Sequence, residues 1–429
     1  MNKFLLFTLS CVTALVQEAG AQTEFRMGGD ISMLSAYESV STPYYDETGK
    51  SVTPLTFMRD DMKMNSMRVR LFVNPTETSS SKTGVIQDLD YVMRLGKRIK
   101  EAGMSFMLDF HYSDSWADPS AQSVPASWYT GTLSSTNPSD ATLEDSLYSY
   151  TKRCLTYLSA NGAAPDYVQI GNEVSYGMLW RTSSDKCYTS NSASHSSWKR
   201  FARYLNAAGS AVRDVCPSAK IILHIERSGQ SGVAKAFFNR METREVDYDI
   251  IGLSYYPFFH GELSSLSTTL SALEESFPDK PVHIVETAYY YQNFPSEADY
   301  VTTDTWAATA DGQSSFISDL CEELAKHDNV QGLYYWFPEE NGNGGSSWSA
   351  SKVVITKWLN RGLWDNSTHK LNAAAKKLKQ FLTLKDAASV TDVKEESSYV
   401  SGIYSVTGCR LQSEPAHGVY IKNGKKVVR

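Results

Sequence analysis

Tyr167-Val168-Gln169-Ile170-Gly171-Asn172-Glu173-Val174 is the stretch on which the fold is decided. It opens as a short apolar run rich in β-branched and aromatic side chains, then ends in a glycine and a polar Asn-Glu pair. A strand that changes from apolar to polar at its C-terminal end is the unit of a barrel that carries chemistry on one rim. The same grammar recurs along the chain. Candidate strands fall at residues 26–34, 66–73, 104–112, 167–174, 220–226, 249–257, 281–288 and 330–337. Between them lie stretches with helical periodicity, at 88–102 (Leu89, Val92, Leu95, Ile99 and Ala102 on one face), 197–215 and 314–326. Short apolar strands alternating with amphipathic helices predict a parallel sheet covered by helices. Eight repeats predict an α/β fold closed as a (β/α)8 TIM barrel.

The polar residues gather where those strands end. His111 and Asp114 follow the third, Asn172 and Glu173 the fourth, His224 and Glu226 the fifth, Tyr255 and Tyr256 the sixth, Glu286 the seventh and Trp336 the eighth. Glu173 and Glu286 lie far apart in the chain, but the ends of strands four and seven share the barrel mouth. Glycosidic bond cleavage needs such a pair: one carboxyl group to protonate the leaving oxygen, the other to attack the anomeric carbon or activate water. Separation by about 5–5.5 Å favours direct attack and retention of configuration. The reading assigns Glu173 as acid/base and Glu286 as nucleophile, with Asn172 directed at a sugar 2-hydroxyl. Arg68 and Arg70 alternate on strand two, share a face, and are candidates to hold Glu286 ionised. A buried structural ion pair is the equal alternative for them. Tyr256 is a candidate substrate contact; it, His224 and Glu226 are more often scaffold residues than catalysts.

Bulk properties narrow the class. The 429 residues carry a net charge of −7, which argues against nucleic acid, since neutralising phosphates takes clustered Lys and Arg. With 25 Tyr, 17 Phe and 9 Trp, rings are available to stack on the apolar faces of sugars. Lys3, an apolar run from Phe4 to Val16 and Ala19-Gly20-Ala21 read as a signal peptide over 1–21, so the protein is expected to be exported. No later stretch has the length and apolarity of a transmembrane helix. Cys154, Cys187, Cys216, Cys321 and Cys409 remain after cleavage, scattered and odd in number. They indicate no metal or redox motif and leave at least one thiol without an intramolecular partner. The catalytic domain is expected over 22–385. From 386 to 429 a polar linker and a short C-terminal β-rich tail follow, with Asn423-Gly424 as a hairpin turn.

Several of these segments together resemble the endo-β-1,4-galactanases (arabinogalactan endo-β-1,4-galactanases) of glycoside hydrolase family 53, clan A. Asp109-Phe-His-Tyr-Ser-Asp-Ser-Trp-Ala-Asp-Pro-Ser-Ala-Gln122 is similar to its strand-three motif. Val168-Gln-Ile-Gly-Asn-Glu173 with Gly177-Met-Leu-Trp180 is similar to its strand-four segment. Ser66-Met-Arg-Val-Arg70 with Asn74-Pro75, Ile251-Gly-Leu-Ser-Tyr-Tyr-Pro257 with His260-Gly261, and Val285-Glu-Thr-Ala-Tyr289 follow in the family's order. The resemblance implies a retaining double displacement at Glu173 and Glu286 on pectic β-1,4-galactan, with polysaccharide as the partner; separately, a monomer is expected. Trp116, Trp180 and Trp336 are candidate sugar platforms, and His111, Asp114 and Asp118 candidate hydroxyl ligands; Asp118-Pro119 is equally turn chemistry. The chain departs from the family pattern at Arg181-Thr-Ser-Ser after Trp180 and at Phe259, where the family has Trp. Some members carry calcium in the last long loop. No run of alternating Asp or Asn ligands occurs here, so no metal and no cofactor is expected. The alternatives are a related barrel hydrolase acting on mannan or glucan, and a non-catalytic polysaccharide-binding protein.

Overall fold

The computed structural model describes residues 24–75, 84–129, 137–192, 194–292, 305–341, 360–396, 402–405, 410–416, 419–422 and 425–428. The segment read as a signal peptide, Cys409 and the Asn423-Gly424 turn lie outside them. Eight parallel strands close a barrel in sequence order: β1 (Arg26–Asp30), β2 (Ser66–Leu71), β3 (Ser105–Phe110), β4 (Tyr167–Ile170), β5 (Lys220–Ile225), β6 (Ile250–Tyr255), β7 (Val282–Thr287) and β8 (Val330–Trp336). Closure is made by β1 on β8, from Arg26↔Gly332 to Asp30↔Trp336. The helices are α1 (Leu34–Ser39), α2 (Pro54–Asp60), α3 (Leu89–Glu101), α4 (Asp140–Ala160), α5 (Ser196–Val215), α6 (Ser231–Glu242), α7 (Pro257–His260), α8 (Leu263–Ser276), α9 (Ala310–Leu324) and α10 (Gln380–Glu396). The periodicity of α3 places Val92, Leu95 and Ile99 on its buried face. Asp88 stops it at the N-terminus by accepting the Tyr91 N–H, the usual use of Asp at that position.

Every strand ends one to four residues before its apolar run predicts. The residues released from the ladder include His111, Asn172, Glu173, Glu226 and Tyr256, so the chain leaves the sheet where the polar side chains begin. Inside the barrel the change is stepwise, because residues two apart share a face. Met107, Ile222, Ile250, Val285 and Tyr334, with Tyr167 against them, form an apolar floor. Two residues on, Met107 gives way to Asp109, Tyr167 to Gln169 and Ile222 to His224, all buried.

Two strands break the register. On β6, Leu253 pairs with Ile284 and Ser254 with Glu286; on β8, Leu333 pairs with Ile284 and Tyr335 with Thr287. At Val285–Glu286 β7 bulges by one residue relative to both neighbours, while β8 bulges by one at Gln331, between the Val282↔Val330 and His283↔Gly332 pairs, and such bulges re-aim side chains near active sites.

The C-terminal region corrects the expected boundary. The segment from 386, read as a polar linker, continues α10 as far as Glu396. Its charged residues are ordinary helix formers, and without turn residues nothing stops the helix at 385. Beyond it β9 (Ile403–Ser405), β10 (Arg410–Leu411), β11 (Val419–Lys422) and β12 (Lys425–Val428) pair antiparallel in the order β10-β9-β11-β12. Lys422 pairs with Lys425 across the two-residue Asn-Gly connection. Cys154, Cys187, Cys216 and Cys321 are buried free thiols. Among the described residues no helix is long and apolar enough to cross a membrane, and no cluster of His, Cys, Asp or Glu has the make-up of a metal site.

Candidate active site

A cavity of about 680 Å³ opens at the C-terminal rim and is lined by both Glu173 and Glu286. Its polar base is organised by Arg68, which is 1% exposed. The guanidinium donates to Asp30 and Asp109 at 2.8 Å each, to the Asn172 amide oxygen at 2.9 Å and to Gln169 at 3.3 Å. It lies 2.9 Å from Oε1 of Glu286. A planar fork with five donors suits this many convergent acceptors as a lysine would not.

The two carboxyl groups keep different company. Glu286 meets Arg68 through Oε1 and accepts the Tyr256 hydroxyl at Oε2, 3.0 Å away. Burial pushes it up to about 7, against the pull of Arg68 and the Tyr256 hydroxyl. Glu173 is half-buried and accepts one hydroxyl, from Ser254 at 2.7 Å. Burial first, then the charge of Glu286 and that of Glu226, carry Glu173 well above the usual carboxyl range. Glu286 therefore gives up its proton first and Glu173 retains one. Strand β6 serves both, since Ser254 and Tyr256 project from alternate positions. His224, buried and held neutral by burial and by Arg68, lies with Nε2 2.8 Å from the Ser254 oxygen. The Glu173 backbone sits at φ +47°, a left-handed conformation uncommon for a residue with a side chain and often found at functional sites.

Asn172 lines the cavity and donates one amide hydrogen to the Ala117 carbonyl at 2.8 Å, which leaves its second for a ligand. His111 also lines it, but both ring nitrogens are committed: Nδ1 accepts the Ala117 N–H at 3.0 Å, so Nε2 carries the proton toward Asp109 at 3.2 Å. It is a scaffold for the loop, not a spare hydroxyl ligand. Asp118 reaches the cavity while its Oδ1 builds a turn with Ser120 and Ala121. Trp116 and Trp336 line the cavity with ring centroids 6.4 Å apart. Arg70 covers Trp116 at 4.4 Å and Arg361 covers Trp336 at 4.7 Å.

Three expectations are corrected by position. Arg70 does not share Arg68's role: it bonds Asp30 and the Gly84 carbonyl and stacks on Trp116. It sits one pleat further along β2, past the reach of Glu286. Asp114 lies outside the cavity lining, where it accepts the Ala126 N–H at 2.8 Å and fixes the loop after β3. Trp180 is also outside; its indole donates to the Tyr176 carbonyl at 3.1 Å and Lys186 covers its ring at 4.1 Å. The sequence reading missed Tyr176, Arg227, Gln230 and Arg361, all in the lining. Asp30, Asp109 and Gln169 beneath were also missed, although a polar residue two positions before His111 and four before Glu173 marks Asp109 and Gln169 as inward on the same face. Arg361 follows no strand, and nothing local marks it.

Comparison with known proteins agrees with this geometry. The model of the family described as Glycosyl hydrolase family 53 matches residues 26–376. An arabinogalactan endo-β-1,4-galactanase A of Emericella nidulans is 31% identical over 362 residues, covering 81% of this chain and 94% of the relative. An endo-β-1,4-galactanase of Bacillus subtilis is 28% identical over 327 residues, covering 74% and 71%. The Ignisphaera aggregans GH53 catalytic domain superposes with a TM-score of 0.71 at 29% identity, covering 85% of this chain and 98% of that one. With its closed barrel and two glutamates in one cavity, this chain is a glycoside hydrolase and belongs to glycosyl hydrolase family 53.

Proposed function

We propose that the protein is an exported, endo-acting β-1,4-galactanase that cleaves galactan and arabinogalactan side chains of pectin with retention of configuration. The observation that carries the mechanism is the unequal environment of the two carboxyl groups in one cavity. Glu286, clamped by Arg68 and Tyr256, is the group that ionises and attacks the anomeric carbon. Glu173, with one hydroxyl partner and a like charge nearby, is the group that holds a proton for the departing glycosidic oxygen. As the C–O bond breaks, that proton moves to the leaving sugar and a glycosyl ester forms on Glu286. Glu173, now ionised, takes a proton from water, whose oxygen attacks the same carbon from the vacated side and restores Glu286. Asn172 directs its second amide hydrogen toward the 2-hydroxyl, a bond that tightens as charge develops. Trp336 and Trp116 supply faces for sugar rings. Galactan is favoured as substrate by the resemblance to galactanases along the barrel.

The test is release of reducing ends and product sizes from linear galactan, galactomannan, β-glucan and arabinan, with anomer-resolved NMR of the first products. Short β-anomeric oligomers from galactan alone are expected. Glu286→Ala should abolish turnover while galactan binding survives. Cleavage of another polymer would move the substrate, an α-anomer would overturn retention, and near-normal activity of the Ala variant would remove the nucleophile assignment.

A further inference from the structure

Strand β5 ends at Glu226, which the double displacement does not use. Its side chain is buried on the wall of the cavity that also holds Glu173. Oε1 accepts the Ser175 hydroxyl at 2.6 Å and meets Nε of Arg227 at 2.9 Å. Oε2 is buried with no hydrogen-bond partner among the described residues. Ser175 lies two residues beyond Glu173, and the connection is stiff: Val174 N–H donates to the His224 carbonyl at 3.0 Å and Glu173 N–H faces Nδ1 of His224 at 3.4 Å. Arg227 is itself immobilised, 4.6 Å over the Tyr176 ring and 3.1 Å from the Ser175 hydroxyl. One oxygen of the Glu226 carboxylate is thus balanced, and the other is buried without a partner among the described residues.

We propose that Glu226 is a positioning residue for the acid: latched to the Glu173 loop through Ser175, its half-balanced carboxylate keeps the transferable proton on Glu173 until the leaving oxygen takes it. This rests on the assignment of Glu173 as acid/base. The charge of Glu286 acts in the same sense but vanishes when the sugar ester forms, freeing Glu173 to serve as base. Glu226 keeps its charge through both steps and sets the level about which Glu173 switches. Burial raises Glu226 too, with Arg227 and Ser175 opposing, while Glu173 has Ser254 alone against burial and three like charges, Glu286, Glu226 and Asp118. Glu226 therefore ionises before Glu173. Facing the pair are Asp118 from the loop after β3, Glu286 from β7, Arg227 after β5 and His260 from α7. Burial, then Arg227, lowers His260 to about 4, so it is neutral across the alkaline limb at issue. Asp118 adds to the repulsion and Arg227 opposes it.

The experiment measures kcat/KM on galactan across pH for the full chain, Glu226→Gln and Glu226→Asp. The alkaline limb reports the acid in the free enzyme. In the Gln variant it should move to lower pH by about one unit, with the drop confined to the alkaline side; the Asp variant should keep the wild-type limb. An unmoved limb in a folded Gln variant, an equal drop at every pH, or an Asp variant matching Gln would overturn the proposal. If the Gln variant cannot be recovered, 13C-carboxyl titration of the wild-type chain decides, and ionisation of Glu173 before Glu226 overturns it. Glu173→Ala is the control: an alkaline limb that survives there means the acid assignment has failed, not the role of Glu226.

Discussion

Arg68 is the residue on which the active-site charges depend. Asp30, Asp109 and Glu286 converge on one buried guanidinium, and removing a partner from a buried ion cluster leaves the others uncompensated. Arg68→Met, which keeps bulk and loses charge, should destabilise the fold by about 3–5 kcal/mol and lower kcat by on the order of 100-fold. Urea unfolding together with kcat per folded molecule checks both, and an active, equally stable variant would show that Glu286 needs no cation. A second outcome follows from the protonation of Glu286. Because burial pushes it up to about 7, kcat/KM should fall as pH drops through neutrality, a limb placed far above that of an ordinary glutamate. A limb near pH 4.5, the ordinary value, would mean that Arg68 and Tyr256 overcome burial. Both carboxyl groups and Asn172 were legible in the sequence because each closes or follows an apolar run, and Arg68 because it shares one face of strand two with Arg70. Asp114 reads the same way yet serves its loop, since a strand end predicts nearness to the rim and not the direction of a side chain. Arg361 was illegible because only tertiary packing brings it over Trp336.

The bulge in β7 and the end of β4 deliver the two carboxyl groups to one cavity, and they differ in how far the sequence reveals them. Strand number, order and helix placement follow from alternation and periodicity, so the barrel itself was readable. The bulge was not, because Val285 looks like any strand residue and only pairing with two neighbours shows it to be extra. The run of α10 past residue 385 was not readable, because the sequence from Asp386 is polar and charged and reads as linker. On β6, Ser254 gives Glu173 its hydroxyl partner, and that bond favours the ionised form. Ser254→Ala should therefore shift the alkaline limb of kcat/KM to higher pH by about half a unit to one unit and slow polysaccharide cleavage more than that of an aryl galactoside. A shift to lower pH would show that the hydroxyl instead supports the protonated acid.

For the whole molecule, buried glutamates make stability fall as pH rises. Burial raises Glu173, Glu226, Glu286 and Glu339 above the ordinary 4.5. Above about pH 4.5 the unfolded chain has shed carboxyl protons that the folded chain still holds, which costs stability until those groups ionise in place. Up to about pH 6.5 this is opposed by His224, His260 and His283, which burial keeps neutral in the fold while the unfolded chain protonates them. Below about pH 4 the opposite set dominates: Asp109, Asp185 and Asp247, held low in the fold, take up protons and their contribution is lost. Tm should peak in mildly acidic buffer and decline steadily toward about pH 8; a flat or rising profile there would show that the buried glutamates do not carry excess protons. Barrel closure has a further outcome, in time. The first strand to be made, β1, completes its pairing on the last, β8. At ~5–20 residues per second, the roughly 300 residues between them take on the order of 15–60 s to synthesise. Throughout that interval a nascent chain carries two unpaired sheet edges, each a template for joining another chain. Molecules that stop short of Trp336 are therefore not smaller enzymes but open sheets, and whatever shields them must act while the ribosome is still at work.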